Sequence, residues 1–128
     1  MKSREIKFRG MDIMGRWFIG LLSVSQGKAG QPPVGYYISS AAGQPWAYQV
    51  RPETVGQFTG LLDKNGKEIY EKEEVIGAHF NGSYKEGIVE WSNALASFVI
   101  LPMDGEYCHV DLCQQASSLL VINDMYVP

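Results

Sequence analysis

The sequence predicts a mainly β fold, all-β or β-rich α+β, and three observations predict it. Apolar residues recur with a period of two. Turn-forming pairs, Asn65-Gly66 and Asn81-Gly82 among them, break the chain about every ten residues. Between them lie segments rich in β-branched and aromatic side chains, with five Phe, three Trp and seven Tyr in all. Many short strands joined by turns argue for a barrel or a sandwich.

The elements follow in order. Ile6 and Phe8 alternate with Glu5, Lys7 and Arg9, as a half-buried strand requires. Trp17 to Val24 is aromatic and β-branched on both faces, which predicts a strand buried on two sides. Residues 25–33 are turn formers and predict a flexible loop. Val34–Ser39 and Trp46–Val50 read as strands separated by the small residues Ser40 to Pro45. Pro52-Glu53-Thr54-Val55-Gly56 predicts one helical turn, with proline at its start and Gly56 as a left-handed exit. Gln57–Leu62 and Glu68–Tyr70 then flank Asn65-Gly66, which predicts a hairpin with positive φ at both turn residues. Gly60 is a further candidate for positive φ. Val75–Phe80 and Tyr84–Trp91 flank Asn81-Gly82 in a second hairpin, with Gly87, Val89 and Trp91 on one face. Ala96–Leu101 is apolar on both faces, Met103-Asp104-Gly105 turns the chain, and Leu119–Ile122 is a last strand. Segment 107–117 fits either a short helix or a strand with a loop. No internal repeat is evident.

A chain of 128 residues is the size of one domain, read as 1–128 with subregions 1–50 and 51–128. With 45% apolar and 20% charged residues, disorder, collagen and coiled coil are excluded as readings. The longest apolar run, Trp17 to Leu22, falls far short of the ~20 residues of a membrane span, and the N-terminus lacks the apolar stretch of a signal peptide. A cytoplasmic protein without membrane partners is expected. Cys108 and Cys113 are too few for a disulfide framework and are expected to stay thiols.

The net charge of −3 hides an asymmetry. Residues 1–50 carry six basic and two acidic side chains, whereas residues 51–128 carry five basic and twelve acidic ones. A nucleic-acid surface would therefore lie near Lys2, Arg4, Lys7, Arg9 and Arg16. Attraction between opposite charges within the chain or between subunits is the alternative.

Several groupings invite chemistry. Cys108, His109, Asp111 and Cys113 are zinc-ligand types, with His79 as a distant fifth, but the spacing matches no known knuckle. Ordinary packed thiols are the simpler reading. Neither cysteine has the surroundings of a thiol nucleophile. Glu68, Glu71, Glu73 and Glu74 form an acidic run, expected to be a solvated turn rather than a cation or acid/base site. None of the 14 glycines falls into a phosphate-binding motif. Trp46, Tyr48, Tyr36 and Tyr37 could stack bases, or fill a core or subunit interface. No catalytic, metal or cofactor residues are assigned, and no cofactor is expected.

One stretch goes beyond pattern. Val50-Arg51-Pro52-Glu53-Thr54-Val55-Gly56-Gln57-Phe58-Thr59-Gly60-Leu61, continuing as Asp63-Lys64-Asn65-Gly66-Lys67-Glu68-Ile69-Tyr70-Glu71, resembles the signature of the YopX family, small proteins of bacteriophages and prophages. Arg4-Glu5-Ile6-Lys7-Phe8-Arg9 with Asp12 is similar to that family's opening motif, and Val121 to Tyr126 to its closing strand. Where the family has Glu-Gly-Asp-Ile-Val, this chain has Glu71-Lys72-Glu73-Glu74-Val75. Lys72 thus replaces a glycine whose left-handed geometry it would not readily adopt, and Glu73 takes the aspartate's place. The resemblance implies a β-rich fold with a partly open SH3-like barrel at about residues 57–102 or, more broadly, in 51–128. It implies no enzymatic activity and no catalytic residues.

Two functions follow as expectations. The first is a phage-derived, non-enzymatic protein that self-associates into a homo-oligomer. The second is a nucleic-acid-binding accessory protein of a mobile element, with Arg4, Lys7, Arg9 and Arg16 on phosphates and Trp46 or Tyr48 on bases. A hydrolase or metalloprotein built on Cys108, His109 and Cys113 is the third reading. Gly56, Gly60, Asn65, Gly66, Gly82, Gly87 and Trp91 are expected to serve the turns and the core.

Overall fold

The computed structural model describes residues 5–39, 47–105 and 108–122. Backbone contacts divide the chain into two compact units, the first ending at Phe58 and the second beginning at Thr59. The strands pair in two antiparallel sheets, so the mainly β class holds.

In the first unit, β1 (Phe8–Met11), β2 (Trp17–Ser25), β3 (Gly35–Ser39) and β4 (Ala47–Val50) form a meander. The start of β5 (Gly56–Leu62) adds to the free edge of β1, with Gly56 opposite Arg9 and Gln57 opposite Phe8. Gly10, Gly20, Ile38 and Val50 are buried on one face. Glycine is required there by close approach: a Cβ on Gly20 would strike the Ser39 carbonyl oxygen, and one on Gly10 the Val50 side chain. The meander therefore bends until the chain leaving β4 returns to β1. The Arg51 N–H donates to the Met11 carbonyl at 2.8 Å, and the Met11 N–H donates to Thr54 Oγ1 at 2.8 Å.

The structure corrects two expectations in this unit. Strand β2 is not buried on both faces: Ile19, Leu21 and Val24 are each more than half exposed. Strand β1 pairs with Trp17–Gly20 and β3 with Leu21–Ser25, but no described element covers the side chains of Ile19 and Leu21. The turn Pro52–Thr54 begins on proline as predicted, but it leaves through extended Val55 (φ −73°). Gly56 thus starts a strand and is not a left-handed exit, because the chain runs straight on with no reversal to make.

In the second unit, the rest of β5 pairs with β6 (Glu68–Tyr70). A sheet follows in the order β10-β9-β8-β7-β11, from β7 (Glu74–Phe80), β8 (Ser83–Ser92), β9 (Ser97–Pro102), β10 (Val110–Asp111) and β11 (Leu120–Val121). The open segment 107–117 holds both of its alternatives: β10 is followed by one helical turn, α1 (Leu112–Gln115), whose start is capped by Asp111 accepting the Cys113 N–H at 3.0 Å. Ile69, Val75, Phe80, Val89, Ile100, Leu112, Leu119 and Val121 pack as the core. The two sheets are not closed into a barrel. The edges of this sheet are β10 and β11, two residues each, too short to pair into a further ladder.

Asn81 (φ 44°) and Gly82 (φ 89°) form the predicted hairpin turn, with Phe80 opposite Ser83. At the other hairpin only Gly66 has positive φ (79°), and Asn65 does not. The Gly66 N–H donates to the Asp63 carbonyl and the Asp63 N–H to the Lys67 carbonyl, so the loop is one residue longer than predicted. It is a type I turn ending in a left-handed glycine bulge, an alternative that an Asn-Gly pair also permits. Gly60 has positive φ as predicted (86°). Gly87 and Val89, on one face as expected, are both buried, and a Cβ on Gly87 would strike Ile100. Trp91, placed on the same face and expected to serve the core, is 46% exposed and sits edge-on to its cross-strand partner Phe98 near the end of β8.

Lys72 does adopt the left-handed region (φ 74°), and its N–H donates to the Val89 carbonyl at 2.7 Å. Glu73 departs from the solvated-turn reading: it is buried, and its carboxylate accepts the Tyr70 N–H at 2.6 Å. Asp63 is also buried. Its Oδ1 accepts the N–H groups of Asn65 (2.8 Å) and Lys67 (2.9 Å), and its Oδ2 that of Val121 (3.0 Å), 58 residues away. Burial alone would raise this carboxyl, but the donors from Val121, Lys67 and Asn65, with the Lys67 charge, outweigh it and hold it below the usual aspartate value of 3.8.

Two predictions follow. Gly66→Ala meets no steric neighbour, so its cost is that of the backbone alone, about 1 kcal/mol in denaturant unfolding, and Gly66→Asn costs less. Asp63→Asn turns an NH2 group against one of the three N–H donors and destabilises by roughly 1–3 kcal/mol. Because the folded value of Asp63 is the lower one, its stabilisation is fully present at neutral pH and is lost as pH falls below about 4 and through that folded value. An acid titration of Tm shows a shallower decline in Asp63→Asn than in the wild type.

Candidate functional site

The five residues Asp12-Ile13-Met14-Gly15-Arg16 fold as Asp63-Lys64-Asn65-Gly66-Lys67 does. The Gly15 N–H donates to the Asp12 carbonyl and the Asp12 N–H to the Arg16 carbonyl, while Asp12 Oδ1 accepts from Met14 and Arg16, each at 2.9 Å. Gly15 is left-handed at φ 82°. A short Asp-x-x-Gly-[Arg/Lys] repeat is thus present, which reading for long repeats passes over. The turns differ at the second carboxylate oxygen. In the first unit Asp12 Oδ2 accepts from Arg16 Nε at 2.9 Å. The backbone N–H of Arg16 is the largest influence on the Asp12 carboxyl; burial opposes it, but the Arg16 side chain and the Met14 N–H add to it, and the net shift is downward.

This turn forms one wall of an open cleft of about 540 Å³, lined also by Ala47, Tyr48, Gln49, Val50, Arg51 and Pro52. The Tyr48 ring stacks on Phe18 with centroids 4.1 Å apart and planes within 9°. Ile38 lies opposite Tyr48 in the ladder, and Phe18 lies opposite Gly10, the small residue that makes room on that face. The Arg16 guanidinium sits 5.8 Å from the Phe18 ring and stays 62% exposed. Arg51 is anchored by its backbone bond to Met11, and its Nε is buried without an acceptor among the described residues.

The basic candidates do not form one row. Arg9 pairs with Ile19 and Gly10 with Phe18, so the alternation of β1 and β2 puts Arg9 on the face opposite Phe18. There the Arg9 guanidinium lies 4.3 Å from the Trp17 ring. Lys7 lies 5.0 Å over Phe58 and pairs with Glu5 at 3.2 Å. The structure brings Arg16 and Tyr48 together and separates both from Lys7 and Arg9. Arg4 and Trp46 lie outside the described residues. Arg51 was missed as a site residue, although it stands at the head of the longest motif, one residue before the proline that fixes the turn.

The thiol groupings separate as well. Cys108 packs against the core, while His109 and Cys113 are exposed. Among the described residues, no three His, Cys, Asp or Glu side chains are placed to hold a metal ion. His79 is held elsewhere, its N–H donating to Gln115 Oε1 at 2.7 Å and its ring 4.9 Å from that of Tyr84. Glu90 is raised above its usual value by burial and by the nearby charge of Glu71, with Lys72 opposing.

Among the described residues no helix is long and apolar enough to cross a membrane. A search of curated proteins finds no match. The family model described as YopX protein matches residues 7–126, and the chain, on that nearly full-length match, belongs to the YopX family.

Proposed function

We propose that this YopX-family chain is a phage- or prophage-derived, non-enzymatic cytoplasmic protein that acts by self-association into a homo-oligomer. The observation that carries the reading is the row on β2: Ile19 (54% exposed) and Leu21 (51%) stand on one face of a strand that pairs with β1 along its first half and with β3 along its second. Such a row loses exposed apolar surface by laying its side chains against a second copy. The basic first half and acidic second half add attraction between copies. Light scattering at tens of micromolar is expected to give a multiple of the 14.3 kDa chain mass, and Leu21→Lys to lower it. A strict monomer overturns the proposal.

A nucleic-acid accessory role is the second reading, favoured by the exposed Arg16 beside the Tyr48–Phe18 stack. Lys7 and Arg9 support it less, because each is held against an aromatic ring of its own sheet. A single-stranded oligonucleotide is expected to be retained at about 50 mM salt and released as salt rises. No retention at low salt overturns that role.

A further inference from the structure

We propose that the cleft between the Asp12–Arg16 turn and the chain from Ala47 to Pro52 is a binding site for a phosphorylated nucleoside. The inference shares Arg16 and Tyr48 with the nucleic-acid reading and narrows it to one nucleotide unit, taken either free or as part of a strand.

Charge is the first argument. Two guanidiniums and one carboxylate line the cleft, and the carboxylate is already engaged with Arg16 and with two backbone N–H groups. The Arg51 side chain has no ion pair or hydrogen bond among the described residues, and its Nε is buried. A guanidinium taken partly out of water without an acceptor is costly, and an anion meeting its terminal nitrogens from the cleft lowers that cost. Arg16 is held rather than merely present: Asp12 accepts from its Nε at 2.9 Å, and the side chain lines the cleft while staying 62% exposed. The planar guanidinium fork suits phosphate, and two such side chains line this cleft.

Shape is the second argument. Tyr48 is backed by Phe18 in a parallel stack and remains 38% exposed. A ring braced in this way offers a flat platform at little entropic cost, suited to a planar base. Ile13 and Met14, 87% and 76% exposed, supply an apolar wall where the matching turn of the second unit has Lys64 and Asn65. The volume of about 540 Å³ lies within the roughly 300–1,000 Å³ usual for small-ligand sites.

Calorimetry on the full chain tests this with three probes: adenosine monophosphate, inorganic phosphate and a ten-nucleotide oligothymidylate. Adenosine monophosphate is expected to bind in the submillimolar range and at least about tenfold tighter than phosphate. Arg51→Ala is expected to weaken it about tenfold or more, with partial recovery in Arg51→Lys, and Tyr48→Ala to reduce it to the level of phosphate. Should Arg51→Ala fail to fold, Arg16→Ala gives the same reading. Binding of the mononucleotide without the strand supports the cleft while removing the nucleic-acid role. Binding of the strand that ignores Arg51 and Arg16 keeps that role and overturns the cleft. No heat with about 5 mM mononucleotide, or equal affinity for it and for phosphate, also overturns the proposal.

Discussion

The second unit depends on one buried carboxylate. Asp63 closes its own turn with one oxygen and holds Val121 with the other, while the neighbouring Lys64 N–H donates to the Leu119 carbonyl. The latter two bonds fix the end of the described chain against a turn laid down almost sixty residues earlier. Such a closure costs loop entropy, and the two-residue β11 cannot repay it through ladder bonds alone. What repays it is apolar: Leu119 and Val121, brought in by these bonds, bury themselves against Val75 and Ile69. A buried charge is tolerable here because three N–H groups solvate it, as water would have done.

The same logic places the glycines and the one lysine that behaves like a glycine. Lys72 takes left-handed backbone because both sides of it are tied down. Its own N–H bonds the Val89 carbonyl, and the Val89 N–H bonds the Glu73 carbonyl. The strain of a side chain in that region, about 1 kcal/mol, is covered by two strand-to-turn bonds and the buried Glu73 carboxylate on Tyr70. Register in the neighbouring strand is thus kept with a lysine at this left-handed position.

How much was legible follows from range. Alternation and turn residues are local, so strand positions from β5 to β9 and the Asn81-Gly82 hairpin could be read directly. Whether a face is covered is not local: β2 is as apolar as a buried strand, yet Ile19 and Leu21 meet solvent. The Gly66 bulge was missed because the type of turn is set by Asp63, two residues before Asn65, whose carboxylate takes the N–H groups of Asn65 and Lys67. The site was less legible still. Summed charge located a basic first half, but charge is additive whereas access is not, and Arg9 and Lys7 are already held against Trp17 and Phe58.

The two Asp-x-x-Gly turns make this difference between structure and function concrete. Their backbone bonds are alike to within a few tenths of an ångström. In one, the remaining oxygen binds a backbone N–H and the turn is locked into the core. In the other it binds Arg16, a side chain that keeps most of its surface in water. A carboxylate given to a backbone N–H stabilises a fold; one given to an exposed guanidinium orients a charge. The apolar pair Ile13-Met14 at the second kind of turn, left in solvent at a net cost to the isolated chain, fits a surface that meets something else. The first unit, with its uncovered β2 row and its open cleft, is therefore where this protein's contacts with other molecules are to be sought.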